Sequence, residues 1–190
     1  MQERNAPPPI NIGRAGLPEL PANWHWVRFE DVCKRVSVGH VGPTTKYFSE
    51  RADGIVFLRS QNVRPGRLDL ESAAAITPEF HRQLKKSQLR PGDILFVRVG
   101  ANRGDCCVVP EGIGEINCAN IVFARPNHPT GFHAYFFQSD LGRSLLLSAS
   151  VGAAQGVINT SSVASMPVPY PPLPIQRRIA SILSTYDELI

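Results

Sequence analysis

Four short segments of the chain combine glycine or proline with long side chains that end in hydrogen-bonding groups. They read VGPTTKY, RSQNVRPGR, VRVGANRG and GAAQG. In the major groove of DNA, arginine and lysine suit guanine O6 and N7, while asparagine and glutamine suit adenine N6 and N7. The segments therefore predict a surface that reads base edges, formed by Thr44, Thr45, Lys46, Arg59, Gln61, Asn62, Arg64, Arg98, Asn102, Arg103 and Gln155.

Other basic residues are suited to neutralising phosphates rather than reading bases. They are Arg82, Lys85, Lys86 and Arg90. Every single position also has a plainer alternative, namely a solvated surface charge or an amide that caps a turn. Gln61 and Asn62 are the most ambiguous, because an asparagine at the end of a strand often caps its own turn.

The sequence lacks the motifs of several enzyme classes. An amino-methyltransferase needs an Asn/Asp/Ser-Pro-Pro-aromatic loop, but the tandem prolines stand in APPPI and YPPLP. VGANRGDC lacks the helix that a nucleotide-binding glycine loop requires, and no histidine pair has metal-ligand spacing. Asp93 fits a turn better than a nuclease carboxylate set. We therefore expect no catalytic residue, no metal site and no cofactor bound by this chain, which favours binding over catalysis.

Length and composition predict one globular domain. The 190 residues are 43% apolar and 19% charged, with a net charge of +4, which suits a single core and supports nucleic-acid binding only weakly. Four cysteines without a CxxC pair predict free thiols. The sequence shows no secretory signal and no apolar run long enough to span a membrane. These features predict a cytoplasmic protein without a membrane partner.

The elements that hold these segments are predicted to be short. Residues 1–17 predict a flexible arm rich in proline and glycine, and residues 18–173 predict the DNA-binding domain. GIVFLRSQNV, ILFVRVG, CCVVP and NIVFARP predict strands, and MPVPYPPLP predicts an extended segment. TPEFHRQLKKSQL predicts a helix capped by Thr77, and GFHAYFFQSDLGRSLLLSA a helix with a break at Gly142.

Together these elements predict a mixed α/β fold of the α+β kind. We expect a twisted, largely antiparallel sheet of short strands with surrounding helices and a projecting C-terminal amphipathic helix.

Residues 174–190 predict the start of an amphipathic connector helix. Its apolar residues recur at spacings of three and four, and they are Ile175, Ile179, Ile182, Leu183, Tyr186 and Leu189. In a compact domain such a stripe would simply belong to the core. Because a rigid proline-rich spacer precedes the helix, we expect the stripe to pack on another helix instead, as in a coiled coil.

Over residues 18–190 the chain resembles the specificity subunit of type I restriction–modification enzymes. The similar segments are LPANWHWVRFEDVC, FLRSQNV, LRPGDILFVRVG, NCANIVFARP and QGVINTSSVASMPVPYPPLPIQRRIASILSTYDELI. The last is the most specific, because the family has an Ile-Pro-x-Pro-Pro-Leu-x-Glu-Gln-x-x-Ile run before a long helix. Here Gln176 and Ile179 match that run, and Ile175 replaces the common glutamate. The part resembled is one target-recognition domain with the start of the conserved helix.

The resemblance implies a non-catalytic module that reads one half of a bipartite target in double-stranded DNA. It implies that helix 174–190 docks the methyltransferase (modification) subunit, which would hold the methyl donor, and it makes the restriction subunit a further partner. Family members have two such domains. The chain is therefore either a half-length subunit that self-associates through its helix or a piece of a longer chain.

Two other functions fit the same residues. The domain could be the recognition part of a fused methyltransferase-nuclease, which the flanking gene sequence would reveal. It could also be a protein–protein adaptor with only non-specific DNA affinity and a shallow salt dependence. A stand-alone nuclease is disfavoured, because the chain offers no metal-ligand set.

Overall fold

The architecture is built from short apolar runs separated by turns, as a computed structural model of the chain shows. The structure describes residues 6–10, 16–149, 156–187 and 189. Its strands are β1 (His25–Arg28), β2 (Cys33–Val38), β3 (Ile55–Leu58), β4 (Val63–Arg64), β5 (Arg67–Leu68), β6 (Ala74–Ile76), β7 (Ile94–Val97), β8 (Cys106–Val108), β9 (Ile116–Cys118), β10 (Ile121–Pro126) and β11 (Pro167–Tyr170). Its α-helices are α1 (Pro78–Gln83), α2 (Phe132–Gln138), α3 (Asp140–Ser148), α4 (Thr160–Ala164) and α5 (Leu173–Asp187).

The central element is an antiparallel sheet with the strand order β2-β10-β7-β8. Strand β7 is buried at every position because both faces of this sheet are covered. Side chains alternate along a strand, so Leu95 and Val97 pack on one side, and Ile94 and Phe96 pack on the other. The sheet β6-β3-β9 covers the side of Leu95, and its β3–β9 pair is parallel.

The prediction of a mixed α/β fold with mostly antiparallel pairing is confirmed. The strands of the described residues are nevertheless divided among four small sheets, including the two-stranded ribbons β1-β11 and β4-β5. Residues of MPVPYPPLP are extended as predicted and form β11, which pairs antiparallel with β1.

The other side of the central sheet is covered by helices. The ring centroid of Phe137 in α2 lies 4.9 Å from those of Phe29 and Phe96, in edge-to-face contacts. Such contacts stabilise the fold by more than the burial of the rings alone. Leu146 of α3 and Val163 of α4 belong to the same cluster. This hydrophobic cluster fixes the helices on one face of the central sheet.

The predicted break between the two sequential helices lies three residues earlier than expected. Ser139, not Gly142, interrupts them, with φ −66° and ψ 156°. Its hydroxyl oxygen accepts the Gly142 N–H at 3.2 Å and so caps α3. A Cβ on Gly142 would collide with the carbonyl oxygen of Phe136. Glycine is therefore needed for the close approach of the helices rather than for the break.

The N-terminal segment packs on the domain where the structure describes it. Pro7 is buried, and the Ile10 N–H donates to the Trp26 carbonyl at 2.9 Å, beside β1. Residues 6–10 of the predicted flexible arm therefore contact the domain through Pro7 and Ile10. Residues 1–5 and 11–15 lie outside the described parts of the chain.

Helix α1 begins as the sequence predicts and anchors a loop of the candidate site. The Thr77 hydroxyl oxygen accepts the Phe80 N–H at 3.3 Å, and Pro78 is the first helical residue. The ring of Phe80 stacks on Tyr47 with 3.7 Å between centroids. The helix therefore fixes the 3-10 turn Thr45–Tyr47 against the domain.

The buried His133 of α2 makes the fold sensitive to acid. Burial lowers the pKa of its imidazole from 6.5 to about 4, and a hydrogen bond to the backbone of Pro169 opposes that shift. Its Nε2 atom has no hydrogen-bond partner among the described residues. Protonation would thus place an uncompensated charge against the ring of Phe29, whose centroid lies 5.6 Å away.

We expect the domain to lose stability as the pH falls from about 6.5 to about 4. In this window the unfolded chain binds a proton at His133 that the folded chain excludes, so the free energy of unfolding falls by roughly 3 kcal/mol at most. Denaturant titrations of the wild type and of His133→Asn across this window measure the loss. The exposed His128→Asn serves as the matched control. Equal pH dependence in all three proteins would contradict the expectation.

Candidate nucleic-acid interface

The ends of four strands meet at one edge of the domain. The His40 N–H donates to the Cys118 carbonyl at 2.8 Å, and the Asn120 N–H donates back to the His40 carbonyl at 3.1 Å. The Ala119 N–H donates to the Leu58 carbonyl at 2.9 Å. These bonds join the loops that follow β2 and β3 to the connection between β9 and β10. We call residues 39–48, 59–61, 98–104 and 119–120 together the strand-end surface.

Two predicted arginines, Arg98 and Arg59, belong to this surface, and Asn120 contacts Arg98 directly and Ser60, the neighbour of Arg59. Arg98 NH1 donates to Asn120 Oδ1 at 3.0 Å, and the Ser60 hydroxyl donates to the Asn120 carbonyl at 3.3 Å. Arg59, next to Ser60, has its Cζ atom 5.9 Å from the centroid of the Phe48 ring. The Nε atoms of both arginines are shielded from solvent and have no hydrogen-bond partner in the described residues.

The loop after β7 is tied to the segment that precedes α4. The Ile158 N–H donates to the Arg98 carbonyl at 3.0 Å, and Arg103 NH1 donates to the Gly156 carbonyl. Arg103 thus holds part of its guanidinium on the protein, whereas Asn102 is exposed. Gln155 lies outside the described residues, so its predicted contact stays a prediction.

The loop after β2 presents the remaining predicted residues of the surface. Thr45 and Lys46 are exposed, and Thr44 is half-buried. The Lys46 ammonium lies 4.9 Å from the centroid of the Tyr47 ring, a cation–π distance. Gln61 is exposed at the end of β3.

The predicted DNA contact of Asn62 is wrong. Its side chain is fully buried, and both ends of its amide are used within the protein. Oδ1 accepts the Arg59 N–H at 2.8 Å, while Nδ2 donates to the Asp69 carbonyl and the Ser72 hydroxyl at 3.1 Å. Asn62 therefore caps its own turn, which was the alternative considered for it.

Arg64 is placed apart from the other predicted residues. It lies half-buried in the β4–β5 hairpin, whose Gly66 N–H donates to the Cys106 carbonyl of β8 at 3.0 Å. Among the described residues, no hydrogen bond or ion pair joins Arg64 to the strand-end surface. Its contact with DNA stays a prediction.

Sequence reasoning missed Asn120, which links Arg98 to the loop that contains Ser60. The only sequence signal for it is an asparagine between two apolar strands, in NCANIVF, where a left-handed turn is common. Its φ is 54°. The partnership with Arg98 depends on the β9–β10 connection, which the sequence did not reveal because β9 has only three residues.

A second set of basic residues forms a flank beside α1. Arg82, Lys85, Lys86 and Arg90 are exposed. Arg82 pairs with Glu79 at 2.8 Å, and the Lys86 carbonyl accepts a hydrogen bond from Arg35 at 2.5 Å. We call these four residues the basic flank, and the exposure of their charges suits contacts with phosphates.

Helix α5 uses its polar face to attach to the domain. Gln176 is buried, its Nε2 donates to the Pro171 carbonyl at 2.8 Å, and its Oε1 accepts from the Thr130 hydroxyl at 3.1 Å. Near the other end, the Tyr135 hydroxyl donates to Asp187 Oδ2 at 2.7 Å. These contacts fix the direction in which the helix leaves the domain.

The apolar stripe of α5 faces away from these contacts. Ile182 is 51% exposed, Tyr186 63% and Leu189 77%, while Ile175 and Leu183 are each 37% exposed. Ile179 is half-buried. The stripe is therefore not part of the core of this domain, which leaves packing on another helix as the remaining interpretation of its pattern.

The described residues show no arrangement suited to catalysis by a metal or a reactive thiol. No group of three or more His, Cys, Asp or Glu side chains among them could hold a metal ion. Burial raises the pKa of the Cys106 thiol to about 12 and raises that of Cys33, Cys107 and Cys118 as well. Within the described ranges, no helix is both long and apolar enough to cross a membrane.

Two curated relatives match nearly all of the chain. The specificity subunit assigned to the type I restriction enzyme MjaX of Methanocaldococcus jannaschii is 24% identical over 191 residues, covering 95% of this chain and 43% of that protein. The MjaVIII specificity subunit of the same organism is 21% identical over 189 residues, covering 93% and 42%. The chain thus spans about two fifths of the length of these relatives.

Solved structures share the fold. The HsdS subunit from Thermoanaerobacter tengcongensis has a TM-score of 0.63 and 21% identity, covering 93% of this chain and 40% of that one. A chain from a study of the assembly and conformational transition of the type I R-M system has a TM-score of 0.64 and 20% identity, covering 93% and 41%.

The family model of the type I restriction modification DNA specificity domain matches residues 21–190. This match confirms the resemblance, and with it the expectation of a specificity module rather than a catalytic subunit. Because it spans the strand-end surface and α5 alike, the chain belongs to the type I restriction–modification DNA specificity domain family.

Proposed function

We propose that the chain recognises one half of a bipartite DNA sequence for a type I restriction–modification complex in the cytoplasm. In this proposal the strand-end surface makes the base contacts. The observation that carries it is the convergence of separate strand ends on Asn120, which contacts Arg98 and also Ser60, the neighbour of Arg59 in the chain. The sheet thus provides a rigid support for loops whose side chains can form hydrogen bonds with DNA bases. Recognition of base edges requires such a support.

The charge distribution supports a division of the contacts. Arg98, Asn102 and Gln61 offer hydrogen-bonding groups at the strand-end surface. The basic flank beside α1 offers exposed ammonium and guanidinium groups, which suit phosphates because charge alone is needed there. We assign base reading to the first set and positioning on the duplex to the second.

Helix α5 is the proposed connection to the catalytic partner. Its exposed apolar stripe, on a helix whose other face is attached to the domain, suits docking of a helix from the modification subunit, which would bind the methyl donor. The same stripe suits self-association in a half-length subunit, and the restriction subunit would join the assembled complex.

The test is selection of sites from random duplex DNA by the chain co-expressed with the modification subunit of its gene neighbourhood. Adenine methylation marks the selected sites. Enrichment of a short motif, alone or in two copies at fixed spacing, supports sequence recognition. A complex that methylates without any enriched motif would contradict the proposal and leave the domain a scaffold.

Removing the charges of Lys85 and Lys86 is expected to weaken binding to all DNA sequences alike. Each phosphate contact contributes about 0.9 to the slope of log K against log salt, so the double alanine variant lowers that slope by roughly 2. Fluorescence anisotropy at several salt concentrations measures it on target and random duplexes. The charge-matched control is Arg177→Ala with Arg178→Ala on α5. A loss confined to the target sequence would contradict the assignment to phosphates.

A further inference from the structure

The connection between β9 and β10 holds an asparagine in a fixed position at the strand-end surface. Asn120 has φ 54°, the left-handed region that asparagine tolerates better than most residues. Its N–H donates to the His40 carbonyl at 3.1 Å, and its carbonyl accepts from the Ser60 hydroxyl at 3.3 Å. Two neighbouring loops therefore hold its backbone, so the side chain projects from a rigid point.

The hydrogen bond with Arg98 fixes the orientation of the Asn120 amide. A guanidinium only donates, so the atom 3.0 Å from Arg98 NH1 must be Oδ1. The Nδ2 group then carries the two donors of the amide, and no acceptor for them is found among the described residues. Asn120 is exposed, so these donors face the solvent.

Arg98 is restrained in the same way. It is half-buried, and its Nε atom is shielded from solvent, while its bond to Asn120 lies at the surface. The guanidinium is thus held by its stem and by one terminal nitrogen. Arg98 occupies one lone pair of Asn120 Oδ1, so what the pair presents to a ligand is mainly N–H donors, from the guanidinium and from the Asn120 amide.

We propose that Asn120 and Arg98 together select a guanine in the major groove, with Asn120 a specificity-determining residue. This inference rests on the proposed function. Guanine shows two neighbouring acceptors, O6 and N7, in that groove, whereas adenine shows an acceptor beside a donor, thymine an acceptor beside a methyl group, and cytosine a donor. Two adjacent sets of donors therefore match guanine and meet an unfavourable group on each other base.

A fixed guanidinium favours a base over a phosphate as the acceptor. Contact with a phosphate needs charge and little orientation, and the basic flank provides that. Paired hydrogen bonds to a base edge need the guanidinium plane to be held in place. The bond from Arg98 to Asn120 supplies this restraint before any ligand arrives.

The test compares selected motifs for the wild type and four variants, each in complex with the modification subunit. Asn120→Gly removes the amide and tolerates the left-handed backbone, and Asn120→Asp keeps an acceptor for Arg98 but loses the free donors. Arg98→Lys removes the planar guanidinium. Asn23→Gly is the matched control, because Asn23 also has a positive φ, 68°, and is exposed. Thermal unfolding verifies that each variant is folded.

We expect one guanine of the motif to lose its preference by roughly 5- to 100-fold in both Asn120 variants and in Arg98→Lys. Affinity for random DNA stays unchanged in Asn120→Gly and Arg98→Lys, and all positions of the Asn23→Gly motif stay unchanged. In Asn120→Asp the added charge weakens binding to all sequences, so only its motif is compared. A uniform loss across all sequences in Asn120→Gly or Arg98→Lys, as from a phosphate contact, overturns the inference, as does an unchanged motif in folded Asn120→Gly or Asn120→Asp. A wild type that selects no motif overturns the proposed function as well, which separates the two failures.

Discussion

Replacement of Arg125 by alanine is expected to lower the free energy of unfolding by about 3–5 kcal/mol, because it leaves a buried carboxylate without its partner. Asp93 is fully buried. Arg125 Nε donates to its Oδ1 at 2.8 Å, and Arg125 NH2 donates to its Oδ2 at 2.7 Å. These hydrogen bonds raise the pKa of Arg125, so its guanidinium stays charged throughout the neutral range.

The size of this effect comes from the loss of one partner rather than from the strength of the pair. A buried ion pair contributes little net stability, since desolvation of both charges offsets their attraction, whereas a lone buried charge is costly. Asp93 also accepts the Arg90 N–H at 2.8 Å, but one backbone donor cannot replace a guanidinium. The variant with both Arg125→Met and Asp93→Asn should therefore recover part of the loss.

Denaturant unfolding at neutral pH measures this prediction. The control is Arg82→Ala, whose partner Glu79 is two-thirds exposed, and it should cost less than about 1 kcal/mol. Equal costs for Arg125→Ala and Arg82→Ala would show that Asp93 finds water or another donor. The structure would then be less closed around Asp93 than its burial indicates.

The Arg125–Asp93 pair shows which kind of contact the sequence alone does not predict. The turn role of Asp93 follows from RPGD, and the Arg90 N–H bond bears it out. Its partner lies 32 residues away and is found only from strand register, since Ala124 of β10 opposite Ile94 of β7 places Arg125 beside Asp93. Register of non-local strands depends on packing across the whole sheet, which no local pattern contains.

Local signals predicted the elements well where they were strong. The Thr77 cap, the apolar runs of β3, β7 and β10, and the α5 periodicity all appear in the structure. Short strands such as β9, with three residues, were missed because three residues carry no periodicity. The break at Ser139 was misplaced because glycine was weighed above a serine that caps the next helix.

In the candidate site, too, some residues could be predicted from local sequence and others could not. The arginines at strand ends could be proposed from their positions after apolar runs. Asn62 and Asn120 could not be told apart, because both follow a strand and differ only in where the chain folds back. Burial and three hydrogen bonds assign Asn62 to a turn, while exposure and a partner 22 residues away assign Asn120 to the surface.

Charging the stripe of α5 is expected to abolish association with a partner helix while leaving the domain folded. Apart from Leu183, its residues follow alternating spacings of four and three, at positions 175, 179, 182, 186 and 189. This is the a and d repeat of a left-handed coiled coil. Burying an apolar side chain in such a seam contributes about 1.5–3 kcal/mol. Ile182→Asp with Tyr186→Asp should therefore weaken association by at least about 100-fold.

Stability of the domain should not change, because Ile182 and Tyr186 are 51% and 63% exposed and the side-chain hydrogen bonds that attach α5 are made by Gln176 and Asp187. The control adds the same charge elsewhere on the helix, as Ser181→Asp with Thr185→Asp, both exposed. Pull-down with the modification subunit and sedimentation of the free chain measure the outcome. Equal losses in the two double variants would contradict a role for the stripe.

The two measurements also separate the two partners proposed for the stripe. If α5 docks the modification subunit, the stripe variant loses that subunit while the sedimenting mass of the free chain stays the same. If α5 pairs with a second copy of itself, the free chain changes from dimer to monomer. In that case the two target halves would be related by symmetry, and the motif selected by the wild type would contain two inverted copies at a separation set by the helices.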